Sequence, residues 1–108
     1  MSRAPGENGG MGDESKLSAL HAKSEQNRVD FLQADLALCF TYAALVKTEL
    51  SVGDRAAAHW VLAKAEEGYA LIARFLPQVE NAEQRQEIER KWNDLRATLD
   101  SVQRQLPS

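Results

Sequence analysis

The chain has 108 residues, 44% hydrophobic and 27% charged, with a formal net charge of -3; that length supports one core and is too short for two. Such a charge supplies no long-range attraction for phosphate backbones or anionic lipid, so neither nucleic acid nor a membrane is an expected partner. Cys39 is the only cysteine, which excludes an intrachain disulfide or a thiolate zinc cage and fits a reducing, cytoplasmic setting.

Met1 to Asp13 hold four of the six glycines and too little apolar surface to offset the entropy of ordering them, so residues 1–13 are expected as a disordered tail. The tail lacks the apolar middle of a signal peptide, and no uninterrupted apolar run approaches the roughly 20 residues that span a bilayer. Residues 14–27 are good helix formers with only Leu17, Leu20 and the ring of His21 available to a core. They are expected as a marginal helix or linker before a bundle domain over 28–106. Asn27 or Asp30 is a candidate cap for a fresh helix, and an unbroken helix from Glu14 to Leu50 is the alternative.

The strongest patterning lies between Phe31 and Leu76. Leu32, Leu36, Cys39, Ala43, Val46 and Leu50 recur at alternating steps of four and three, the spacing of a helical stripe facing a partner, and Phe31, Leu38, Tyr42 and Leu45 widen it. Gly53 supplies the left-handed position that ends this helix and Asp54 the cap of the next, so the short turn enforces antiparallel packing. The second helix repeats the steps through Ala58, Leu62, Ala65, Tyr69, Ile72 and Leu76; small Ala58, Ala65 and Gly68 allow close approach, and Pro77 stops it. Asn81 with Gln84 opens a third helix whose narrow stripe is Ile88, Trp92, Leu95, Leu99, Val102 and Leu106. The spacing predicts an all-α, antiparallel three-helix bundle, with the marginal N-terminal helix as an addition.

Within that pattern the hairpin TYAALVKTELSVGDRAAAHWVLAKAEE, residues 41–67, resembles a tetratricopeptide-repeat unit, with Gly53-Asp54 in the turn, Ala58 and Ala65 at the small positions and Leu45 on the first helix. The resemblance implies a protein interaction module. No second repeat follows, and a peptide groove takes about three, so no binding residue is carried over from that family.

The residue types that carry chemistry are scattered. His21 and Glu25 share a helix face without an HExxH or a second histidine nearby, and His59 follows three alanines with no carboxylate four residues away, so solvated surface is the expectation and no metal or cofactor is assigned. Cys39 lies in the apolar stripe, where a thiol stays protonated and behaves as a small hydrophobe. Asp35 falls inside the apolar arc of the first helix and needs a partner, for which Trp92 N–H and Arg85 are the candidates. No catalytic residue is assigned. The expected role is a noncatalytic interaction module or small oligomeric subunit, whose partner is another protein or a second copy. The alternative is a small-ligand carrier or enzyme with an interhelical pocket around Asp35, Tyr42 and Tyr69.

Trp60 is the candidate anchor of the interaction surface. At about 100° per residue it points away from the stripe of its own helix, beside Ala56, Ala63 and Leu71 and rimmed by Lys64, Glu67 and Arg74. Phe40 on the first helix is expected to extend the patch. Leu17 and Leu20 would cover Trp60 only if the N-terminal helix folded back.

Overall fold

The four–three steps become three helices in the computed structural model, which describes residues 5–107, with side chains from 15 to 107. They are α1 (Pro5–Ser51), α2 (Arg55–Phe75) and α3 (Ala82–Gln105), with a 3-10 turn at Leu76–Gln78 between the last two. No strand occurs among the described residues.

Each junction follows from its local chemistry. Gly53, at φ 81°, takes the left-handed conformation that releases the chain from α1. The Asp54 carboxylate accepts from Ala57 N at 2.9 Å, and the Asn81 amide oxygen accepts from Gln84 N at 2.9 Å, so both later helices start on the side-chain caps the sequence offers. Pro77 sits in the 3-10 turn that ends α2.

At the N-terminus the outcome differs from the expectation of a tail and a separate marginal helix. α1 is unbroken from Pro5 to Ser51, so residues 5–13 continue it, while residues 1–4 lie outside the described part. Neither candidate cap interrupts the helix. Asp30 is engaged by its own helix, accepting from Gln26 Nε2 at 2.8 Å, and no proline stands between Glu14 and Ser51 to break the ladder.

The core lies where the three stripes meet. Leu32, Leu36, Cys39, Ala43 and Val46 of α1, Ala58, Leu62, Ala65 and Ile72 of α2, and Ile88, Leu95, Leu99 and Val102 of α3 are all buried, joined by Val29, Val61, Leu76 and Val79. Leu50, Tyr69, Trp92 and Leu106 close its edges half-buried. The helices approach closely at Gly68, where an added Cβ would stand 2.3 Å from Cys39 Sγ. The thiol of Cys39 in turn lies 3.7 Å from the Ala65 carbonyl.

Polar contacts fix the third helix at both ends. Arg96 makes a bidentate pair with Glu66, both contacts 2.8 Å, and its Nε donates to Asp100 at 2.9 Å. Between α1 and the start of α3, Glu25 accepts from Glu80 N at 2.7 Å and Asn81 N at 3.3 Å, and His21 Nε2 lies 2.7 Å from Glu80 Oε1. His21 and Glu25, read from sequence as solvated surface, therefore hold the connection into α3. The backbone N–H groups of Glu80 and Asn81, with Arg28 beside them, hold the Glu25 carboxyl below its ordinary range.

Candidate interaction face

α1 and α2 run antiparallel with their register set by two contacts: Phe31 meets Phe75 edge-on at 6.3 Å, and Cys39 lies against Ala65. This puts Tyr42 beside Lys64 and Leu45 level with Trp60. α3 covers one side of the pair. On the other side a shallow groove is lined by Asp35, Leu38 and Tyr42 of α1 and by Lys64, Glu67, Gly68 and Leu71 of α2.

Trp60 stands above that groove at 62% exposure, with Lys64 Nζ 5.2 Å from its ring centre. A cation over the face of an indole is attracted by the ring quadrupole, which orders the side chain without removing it from water. Ala56 and Ala63 are exposed on the same outer side of α2, and Leu71 is half-buried at the groove. The N-terminal helix does not fold back: α1 is straight through this region in sequence, and Leu17 and Leu20 are themselves exposed at 65% and 63%.

Phe40 does not join this patch. It lies two residues from both Leu38 and Tyr42, about 160° round the helix from each, and it is half-buried against the core. Phe31, Leu38 and Leu45, expected to widen the buried stripe, are instead exposed at 47%, 45% and 39%, because α2 touches only the edge of that side, through Phe75 against Phe31 and the groove beside Leu38.

The three residues of the alternative pocket are not brought together. Asp35 and Tyr42 line the open groove. Tyr69 lies toward α3, its ring stacked on Trp92 at 4.6 Å and 11°, with the Arg96 guanidinium 4.7 Å from its centre. Both proposed partners of Asp35 are also occupied elsewhere: Trp92 Nε1 donates to the Tyr69 carbonyl at 3.0 Å, and Arg85 donates to the Val79 carbonyl at 2.7 Å. The reason is rotational, since Asp35 faces α2 rather than α3.

Asp35 Oδ2 is consequently a buried oxygen with no hydrogen-bond partner among the described residues. Burial pushes its carboxyl above the ordinary carboxylate value. The Cys39 thiol is pushed up to about 11, first by burial and then by the neighbouring Asp35 charge, so it is a protonated core group and not a nucleophile. Among the described residues no three His, Cys, Asp or Glu side chains cluster as metal ligands.

By length and composition, α1 over Ser15–Ser51 contains a stretch apolar enough to cross a membrane, and about a third of that stretch is buried against α2 and α3. Asp30 and Asp35 interrupt that stretch, so no uninterrupted apolar run in it reaches the roughly 20 residues that span a bilayer. Compared with known protein families, curated proteins and solved structures, the chain matches none.

Proposed function

We propose that this chain is a noncatalytic helical interaction module, working in the cytoplasm through the face that α1 and α2 present away from α3. The observation that carries this reading is Trp60, a large aromatic at 62% exposure on a rigid helix, bordered by apolar and charged neighbours. Trp is enriched among residues that dominate interfaces, and an apolar centre with a charged rim is their usual composition. The likeness of residues 41–67 to a tetratricopeptide-repeat hairpin points the same way. A carrier or enzyme reading lacks a convergent polar site, since Tyr69 is separated from Asp35 and Tyr42.

The test is Trp60→Glu. Its helical circular dichroism should match that of the unaltered chain, while association, read as solution mass or as retention of a bound partner, weakens by about 30-fold or more, the equivalent of the ~2 kcal/mol typical of such anchors. Unchanged association at unchanged helicity would remove Trp60 from any interface, and loss of helicity would make it part of the core.

A further inference from the structure

The exposed apolar residues of α1 are not scattered. Leu17, Phe31, Leu38 and Leu45, with Val52 just beyond the helix end, account for five of the seven large exposed hydrophobics among the described residues, and every interval among them is a multiple of seven residues. Three residues after Leu17, Phe31, Leu38 and Leu45 stand Leu20, Ala34, Thr41 and Thr48, so the outer side of α1 has the a and d positions of a heptad seam, with the polar pair Ser24 and Asn27 in the one heptad that lacks a large apolar residue. The buried stripe of the same helix occupies its other side. A helix apolar on both sides is normally covered on both, and α2 and α3 cover one.

The seam is ready for close packing. From Ala34 onward the d positions are small or polar, and the two threonine hydroxyls are already satisfied by their own helix: Thr41 Oγ1 donates to the Ala37 carbonyl at 3.0 Å and Thr48 Oγ1 to the Ala44 carbonyl at 3.4 Å. Their methyl groups are covered without stranding a polar atom.

We infer that the occupant is a second copy of this chain, with the two α1 helices antiparallel across a two-fold axis near residues 39 and 40; this rests on the reading of the α1–α2 face as an interaction surface. Antiparallel pairing sets each a residue against a d residue, so Phe31 faces Thr48 of the second copy, Leu38 faces Thr41, and Leu45 faces Ala34. Large side chains then meet small ones, the arrangement that fills an interhelical space.

Charge selects the same direction. At this register Arg28 flanks Glu49 of the second copy, and Asp35 flanks Tyr42, an acid beside a hydroxyl donor. In a parallel pair Lys23 would flank Arg28 and Asp30 would flank Asp35, each like-charge pair occurring twice, and Phe31 and Leu38 would each face themselves. The two-fold operation also makes every contact reciprocal, as an isologous interface requires. Trp60, level with Leu45 on α2, borders the seam and closes its flank.

The experiment uses the full chain at about 100 μM. Light scattering should give twice the 12.0 kDa chain mass, falling to the single-chain value in Leu38→Glu and in Ala34→Glu with helicity retained; both positions are exposed, and two variants guard against one failing to fold. Direction is read by oxidative cross-linking, for which the buried Cys39 does not compete. Ala34→Cys mixed with Leu45→Cys should give the mixed disulfide, and Ala34→Cys alone should give little. A single-chain mass for the unaltered protein overturns the inference and leaves the interaction reading to the Trp60→Glu experiment. A dimer indifferent to both charged variants, or efficient self-linking of Ala34→Cys, overturns it as well.

Discussion

Replacing Gly68 by Ala sets two effects of opposite sign against each other. Alanine is favoured over glycine in a helix interior by about 1 kcal/mol, so an open site would be stabilised. At Gly68 the new Cβ would lie 2.3 Å from Cys39 Sγ and 3.6 and 3.7 Å from the two Asp35 oxygens. The last two are ordinary contacts; the first is not attainable. The sulfur is buried, with the Ala65 carbonyl 3.7 Å away, so the helices themselves must move apart. Overpacking of this kind costs about 1 to 3 kcal/mol, and with two helix backbones displaced the upper part of that range applies. The net effect is a loss of about 2 kcal/mol, a fall in Tm of roughly 8 to 16 °C for a domain of this size. Cys39→Ala removes the obstructing sulfur at a cost of about 1 kcal/mol, and in the double variant the helix-propensity gain returns, so it should melt close to the unaltered chain. Thermal and urea unfolding followed by circular dichroism give the four corners of the cycle. A Gly68→Ala chain that melts higher, or a clash that Cys39→Ala does not relieve, would refute the close approach of α1 and α2.

Leu95 is fully buried where α3 meets the hairpin, so Leu95→Ala should cost about 2 to 5 kcal/mol in urea unfolding; an unchanged curve would detach α3 from the core. Deleting Met1 to Asp13 should leave the melting temperature unchanged, since their composition offers no core; a clear fall would show that they dock. In the Leu38→Glu background, which leaves Asp35 without a second copy, Asp35→Leu should stabilise by about 1 to 3 kcal/mol at pH 7 by removing an unpartnered acid. Burial raises the Asp35 pKa above its unfolded value of 3.8, so the acid is tolerated best below that value and its tolerance is lost as pH rises through the folded pKa. The advantage of leucine should therefore shrink on acidification, and an advantage that grows at low pH would contradict the burial of an unpaired carboxylate.

Much of the fold is legible because period and caps are local signals. The stripes of α1, α2 and α3, the left-handed Gly53, the caps Asp54 and Asn81 and the stop at Pro77 each depend on residues within one turn of one another. What the pattern cannot convey is which flank of a stripe meets which neighbour. Asp35 lies inside the apolar arc of α1 and Tyr69 in the stripe of α2, yet the first turns toward an open groove and the second stacks on Trp92. Phe31, Leu38 and Leu45 read as a broader core because apolar residues on adjacent faces merge into one arc; only the position of α3 separates the buried stripe from the exposed seam. Glu66 with Arg96, thirty residues apart, and Glu25 with the Glu80 backbone are long-range pairings that no periodicity announces. Trp60 was legible because its outward direction follows from helix geometry alone.

Trp60 also reports directly on whether the outer face is covered in solution. In a Trp92→Phe chain, which keeps the ring stacked on Tyr69 and leaves Trp60 as the single tryptophan, acrylamide quenching of its fluorescence is measured across dilution. The expected result is strong quenching in dilute solution and progressive protection as concentration rises, in step with the shift from single to double mass. Quenching that stays strong at every concentration while the mass doubles would place the contact elsewhere, and protection that persists at the highest dilution would put Trp60 inside the fold of a single chain.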